Sequence, residues 1–181
     1  CQRAAARPDL EVLPLRGNVD TRLRKREEGE YDAIILACAG LERLGLDGHI
    51  TEVLGPPDWL PAATQGIIGI ECRDGDAQTM QRIAPLADRD ATVQTRAERA
   101  VARVLQGSCQ VPLAAYATVS GDDLRVDALV GDPDGTAIIR ATDRGRAEEA
   151  EQVGEAVAAD LLDQGADAII ERLNLVPGSG N

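Results

Sequence analysis

The segment Leu15-Arg16-Gly17-Asn18-Val19-Asp20-Thr21-Arg22-Leu23 sets two arginines around a glycine turn. Arg16 falls at the carboxyl end of a predicted strand, where open α/β sheets place their ligands. Gly17 permits a tight turn, Asn18 can cap the helix that follows, and Arg22 lies close to the first turn of that helix. Two guanidinium groups beside helix N–H donors suit a carboxylate or a phosphate. Ala39-Gly40-Leu41-Glu42-Arg43 repeats the arrangement, leaving a second predicted strand through a glycine and presenting Arg43. Arg43 is equally placed to pair with Glu42. On spacing alone, all three are also the ordinary surface of an arginine-rich chain, since Lys25 is the single lysine among 19 basic residues. Neither turn carries enough glycine for a phosphate loop or a dinucleotide fingerprint.

The remaining reactive side chains are sparse. Cys1, Cys38, Cys72 and Cys109 form no CxxC pair, and His49 has no cysteine nearby, so no metal site is expected. Cys38 and Cys72 lie in apolar, strand-like runs and read as small buried hydrophobes. Cys109 follows Gly107-Ser108 and precedes Gln110-Val111-Pro112, a loop setting in which a thiol is either structural or exposed and reactive. His49 reads as a surface residue without a partner. Glu27-Glu28 and the run 148–151 read as solvated helix faces.

Positioning these groups requires a folded scaffold, and the composition provides one. The chain has 181 residues, 44% apolar and 28% charged, with a net charge of −12. That is globular composition. The acidity argues against a general nucleic-acid or anionic-membrane binder, the apolar runs are too short to span a bilayer, and no secretory signal is visible.

Residues 1–60 alternate helix and strand signals: helices over 2–7, 19–28 and from Gly40, with strands over 10–15 and 31–38. This spacing implies βαβ units and a parallel sheet. Residues 55–66 hold three prolines and two glycines and read as a linker. A strand over 67–72 and a helix over 76–84 follow. Asp90 or Thr92 can cap the next helix, 93–106, with Glu98 and Arg99 on its surface. The last third alternates apolar and polar residues over 113–119 and 124–130 around Gly121-Asp122-Asp123, then turns at 131–135 into a third strand over 136–142. Helices over 146–164 and 167–173 complete a three-stranded antiparallel sheet with helices on one face.

Six segments are specific enough to carry a resemblance: Leu15–Leu23, Gly29-Glu-Tyr-Asp-Ala-Ile-Ile-Leu-Ala, Ala39-Gly-Leu-Glu-Arg-Leu-Gly-Leu, Gln65-Gly with Gly69-Ile-Glu-Cys-Arg, Ala97-Glu-Arg, and Gly107-Ser-Cys-Gln-Val-Pro. In order and spacing the chain resembles the carboxyl-terminal part of the porphobilinogen deaminase (hydroxymethylbilane synthase) family. The resemblance implies a transferase of tetrapyrrole and heme biosynthesis. Such an enzyme condenses four porphobilinogen molecules stepwise, head to tail, with loss of ammonia, on a dipyrromethane primer. Cys109 matches the cysteine that holds the primer by a thioether. Arg16, Arg22 and Arg43 match positions that hold the carboxylates of primer, substrate and growing chain. Gly40 matches a close backbone approach to a pyrrole ring, and Gln65 lies at the return crossing between domains.

The resemblance also implies what the chain lacks: most of domain 1 and the start of domain 2, including the family's catalytic aspartate. No catalytic residue is therefore expected in this chain. The implied fold is a remnant of two periplasmic-binding-protein-like α/β domains plus a small C-terminal α+β domain. Residues 1–60 would belong to domain 2, 61–88 to the crossover and returning segment of domain 1, and 89–181 to the domain with the primer cysteine. The implied partners are porphobilinogen, the growing polypyrrole and the N-terminal segment, the last as a separate chain if nicked. Nucleic acid and membrane are not among them, and the implied enzyme is cytoplasmic and monomeric. The alternative is a non-catalytic carboxylate-binding fragment of the same fold.

Overall fold

In the computed structural model, which describes residues 1–105 and 111–175, the alternating stretch after Val111 forms an antiparallel meander. Its strands are β1 (Leu113–Ser120), β2 (Asp123–Gly131) and β3 (Ile138–Arg146), in the order β1-β2-β3. Ser120 pairs with Asp123 across a two-residue Gly121-Asp122 turn, and Gly131 pairs with Ile138 across the Asp132–Ala137 loop. The sequence places the third strand at 136–142. The ladder runs instead to Arg146, because the partner strand continues back to Asp123 and keeps offering backbone groups.

Seven α-helices are described: α1 (Gln2–Ala6), α2 (Val19–Glu27), α3 (Cys38–Arg43), α4 (Ala77–Ile83), α5 (Arg89–Val104), α6 (Ala150–Asp163) and α7 (Ala166–Leu175). The long α5 begins earlier than expected. Asp88 caps it, its carboxylate accepting from the Ala91 N–H at 2.7 Å, so neither Asp90 nor Thr92 is the cap. A short 3-10 turn, Ala147–Glu149, leads into α6.

The chain divides into two compact units: Cys1–Pro8 with everything from Gly55 onward, and Asp9–Leu54. In the first unit α5 and α6 lie on one face of the sheet. Val93, Ala97, Ala100 and Val101 recur at helical spacing on α5, and Val153, Val157 and Leu161 do so on α6. These stripes enclose the inward face of β2, Leu124, Val126, Ala128 and Val130. At Gly154 the two helices come so close that a Cβ would stand 2.8 Å from the Ala100 Cβ and 3.1 Å from the Ala97 carbonyl carbon.

The opposite face of the sheet carries a smaller cluster of Leu60, Ala114 and Leu129, with Cys1 and Tyr116 packed against it. Here residues 55–66, expected to be a linker, are held down. Gln2 exchanges two hydrogen bonds with the Leu60 backbone, at 2.7 and 2.9 Å, and Arg140 donates to the carbonyls of Pro57 and Asp58. Prolines fix the path of this segment, and side chains then fasten it.

The second unit, Asp9–Leu54, holds α2, α3 and a 3-10 turn at Asp47–His49. The strands expected over 10–15 and 31–38 are not formed, nor is the one over 67–72 in the first unit. Apolar residues in them stand in solvent: Val12 is 62% exposed, Ile35 61% and Ile68 80%. A strand exists only through its ladder, and among the described residues these segments have no ladder partner. The parallel sheet inferred from βαβ spacing is accordingly absent from the described residues. No helix among them is long and apolar enough to cross a membrane.

Candidate functional site

The first arginine turn is built as its sequence suggests at the helix end, although no strand precedes it. Gly17 sits at φ +126°, and a Cβ there would fall 2.8 Å from Thr21 Cγ2, so both conformation and space call for glycine. Asn18 caps α2: its Oδ1 accepts from the Thr21 N–H at 2.9 Å, and its carbonyl accepts from the Arg22 N–H at 3.0 Å. Arg22 folds back over the turn, its Nε donating to the Gly17 carbonyl at 2.7 Å. That bond orients the guanidinium and leaves its two terminal nitrogens uncommitted among the described residues. Arg16 is exposed on the other side of Gly17 with no hydrogen bond or ion pair among the described residues.

Arg43 ends α3, exposed, and does not pair with Glu42. Lack of a partner does not by itself mark a site, because Arg26, Arg82, Arg96 and Arg99 share it. Other arginines are committed: Arg24 to Glu28, Arg125 to Asp127 and Arg172 to Asp132, at 2.7, 2.7 and 2.9 Å. Gly40 lies inside α3, where a Cβ would meet nothing within 4 Å, so packing gives no reason for a glycine there. Arg16, Arg22, Gly40 and Arg43 all belong to the Asp9–Leu54 unit, whereas Gln65 belongs to the other. Gln65 is exposed in a turn closed by its N–H bond to the Ala62 carbonyl at 3.0 Å. Cys109 lies outside the described residues.

Three expectations about other side chains change. Cys38 and Cys72 are half-buried rather than core residues: Cys38 opens α3, and the Cys72 thiol lies 3.2 Å from the Met80 sulfur. Without a strand ladder their segments are not drawn into a core. His49 is not alone, with Nδ1 4.0 Å from Glu27 Oε1. Glu98, expected on the surface of α5, is buried at 4% exposure. Burial pushes its carboxyl up from the ordinary range, while hydrogen bonds from the Ala117 and Thr64 amides pull the other way. Its spacing from Val101 and Leu105, i+3 and i+7, was the signal that this carboxylate shares the buried face. Among the described residues no cluster of three or more His, Cys, Asp or Glu is placed to hold a metal.

Residues 1–81 match the family model described as porphobilinogen deaminase, dipyromethane cofactor binding domain, and residues 92–163 match porphobilinogen deaminase, C-terminal domain. The porphobilinogen deaminases of Bordetella parapertussis and Bordetella bronchiseptica are each 54% identical over 172 residues, 95% of this chain. The chain belongs to the porphobilinogen deaminase family. It spans 55% of the length of these two curated relatives.

The cofactor-domain match of the porphobilinogen deaminase family covers Arg16, Arg22, Gly40, Arg43 and Gln65, and the C-terminal match covers Glu98 and Cys109. The donors present fit a dipyrromethane bearing carboxylates. Arg16 and Arg43 have no partner to give up among the described residues, and Arg22 is oriented through Nε with its terminal fork unspent. A cavity of about 280 Å³ elsewhere, lined by Pro57, Leu60, Asp127, Arg140 and Asp160 among others, includes none of the expected site residues.

Proposed function

We propose that this chain supplies the cofactor-anchoring and carboxylate-binding part of a hydroxymethylbilane synthase, which joins four porphobilinogen molecules head to tail with loss of ammonia. The observation that carries the reading is the match to two consecutive porphobilinogen deaminase domains, with 54% identity to the relatives along 95% of the chain. Bound dipyrromethane supplies the free pyrrole carbon at which the first unit is added.

The chain's own residues bind and orient. Cys109 is the anchor, and a thioether suits that task because it outlasts turnovers in which an oxygen ester would hydrolyse. Each porphobilinogen brings an acetate and a propionate, so negative charge accumulates as the product grows. Arg16, Arg22 and Arg43 meet those carboxylates with planar forks that stay charged at any working pH, which lysine does less well. Gly40 lets a pyrrole ring approach the backbone, an assignment supported by the absence of any packing need for glycine there. Gln65 serves the same cofactor from the crossover segment. Ammonia loss is assisted by an aspartate from an amino-terminal portion, supplied in the same or a separate polypeptide.

In this arrangement residues 1–60 belong to the second domain, 61–88 to the crossover and returning segment of the first, and 89–181 to the third. The segments 10–15, 31–38 and 67–72 become strands of two α/β domains of periplasmic-binding-protein type. Their exposed apolar side chains, such as Val12 and Ile35, support that reading. The enzyme acts as a cytoplasmic monomer.

The test is product formation from porphobilinogen by the purified chain, with and without an amino-terminal portion from a family member. Denaturing mass spectrometry of the chain accompanies it. Hydroxymethylbilane formed only on complementation, with the dipyrromethane mass on Cys109, is the expected result. Porphobilinogen binding without product under complementation would favour a non-catalytic fragment, and an unmodified Cys109 in an active preparation would refute the anchor.

A further inference from the structure

We propose that Glu98 is a positioning residue: its buried carboxylate fixes the turn Thr64-Gln65-Gly66 and thereby the Gln65 side chain. The functional half of this proposal rests on the reading of Gln65 as a cofactor contact. The structural half stands on geometry within one compact unit.

Glu98 projects from α5 beside Val101 and Leu105 into the interior of that unit. Its two oxygens are divided between two backbone amides. Oε1 accepts from the Ala117 N–H at 2.8 Å, and Oε2 accepts from the Thr64 N–H at 2.6 Å. No lysine, arginine or histidine forms an ion pair with it among the described residues. A buried charge is costly unless it is hydrogen-bonded, so both amides matter to it.

The two amides differ in what they belong to. Ala117 lies in mid-β1, opposite Val126, and β1 is an edge strand. Glu98 accepts from the outward Ala117 amide, which no neighbouring strand takes among the described residues. That end of the bridge is therefore fixed to the sheet. Thr64 is in a turn, at φ +60°, the single described non-glycine residue with positive φ. A β-branched residue is disfavoured there, and the charge-assisted bond to Glu98 offsets the disfavour. Gln65 follows directly, its N–H bound to the Ala62 carbonyl, while the Ile67 N–H returns to the Thr64 carbonyl at 3.2 Å. The direction in which Gln65 leaves the backbone is thus set by a turn whose anchor is Glu98.

A carboxylate is suited to this bridge because it only accepts. In Glu98→Gln one oxygen remains an acceptor and the amide nitrogen faces an N–H, so one of the two bonds is lost.

The experiment uses the chain complemented by an amino-terminal portion from a family member. It compares Glu98→Gln, Gln65→Ala and the double variant for kcat and KM with porphobilinogen, and measures amide hydrogen exchange at Thr64 and Ala117. Exchange should accelerate about tenfold or more in Glu98→Gln at whichever of Thr64 and Ala117 faces the new amide nitrogen, as loss of a charge-assisted bond implies. KM should rise in Glu98→Gln, and that rise should vanish in the Gln65→Ala background. Unchanged exchange at both Thr64 and Ala117, or an equal kinetic effect in both backgrounds, would overturn the proposal.

Should Glu98→Gln fail to fold, nuclear magnetic resonance of the unaltered chain decides. The Thr64 and Ala117 amide protons should shift together with the Glu98 carboxyl carbon through one titration, and independent behaviour overturns the bridge. If the complemented unaltered chain makes no product, the enzyme reading fails, while the exchange and titration arms still judge the bridge.

Discussion

Replacing Gly154 with alanine should destabilise the unit that holds α5 and α6 by about 2 kcal/mol, although alanine is the better helix former. Intrinsic propensity favours the change by roughly 1 kcal/mol. Against this, the new Cβ would sit 2.8 Å from the Ala100 Cβ and 3.1 Å from the Ala97 carbonyl carbon, and closer still to the Ala97 carbonyl oxygen. Two of these three atoms are helix backbone and cannot rotate away, so α5 and α6 must part. Overpacking of this kind costs about 1–3 kcal/mol, occasionally more. Parting the helices by roughly 0.5–1 Å also forfeits a quarter to a half of each dispersion contact along the seam.

Gly40→Ala is the matched comparison. It is the same substitution inside a helix, but nothing stands within 4 Å of the added carbon, so stability should hold or rise by up to about 1 kcal/mol. Urea unfolding followed by circular dichroism, with each variant beside the unaltered chain, measures both. The midpoint of Gly154→Ala should fall by roughly 1 M, given slopes of about 1–3 kcal/mol per molar. A Gly154→Ala midpoint at or above that of the unaltered chain would refute the close helix approach. Gly40→Ala carries a second readout: it should lower dipyrromethane incorporation and turnover while the fold is kept, and full activity would remove Gly40 from the site.

Further outcomes follow from the arginines and from Glu98. Arg43→Ala loses no hydrogen bond within the described residues, so stability should not change while elongation slows in a porphobilinogen turnover assay. Arg22→Lys loses the exposed bond to Gly17, worth about 0.5–1.5 kcal/mol at most, and should impair turnover far more than unfolding resistance. Because the folded chain holds the Glu98 carboxyl above its ordinary range, the native state binds the proton more tightly than the unfolded one. This group's contribution to stability therefore rises as pH falls from its raised pKa to the ordinary glutamate range of about 4.3. Asp76 and Asp134 are held below the usual range by bonds from Thr79 and Thr136, and their contributions are lost at lower pH still. Unfolding curves across that upper window should show the unaltered chain gaining on Glu98→Gln with acid; parallel curves would refute the assignment.

Signals local to one segment were legible without coordinates. The Gly17-Asn18 turn and its cap, the meander with its Gly121-Asp122 turn, and a helix over 146–164 packed on one sheet face follow from residue type and period alone, whereas the packing of α5 beside it did not. The family segments around Arg16, Arg22, Gly40, Arg43, Gln65 and Cys109 were legible only as a resemblance, and the family they point to is the one whose domains match the chain. What the sequence could not decide depended on partners distant in the chain. Residues 10–15, 31–38 and 67–72 have the composition of strands, yet a strand is completed only by hydrogen bonds from another segment. None of the described residues provides them.

The reverse holds for residues 55–66. Their prolines announce a linker, but Gln2, Arg140 and Glu98 reach in from sequence distances of 58, 83 and 34 to fasten it. Glu98 itself had the spacing of a core position and the chemistry of a surface one. Only the tertiary structure resolved that conflict, by bringing two unpaired backbone amides to the one place on α5 where a buried carboxylate could accept them.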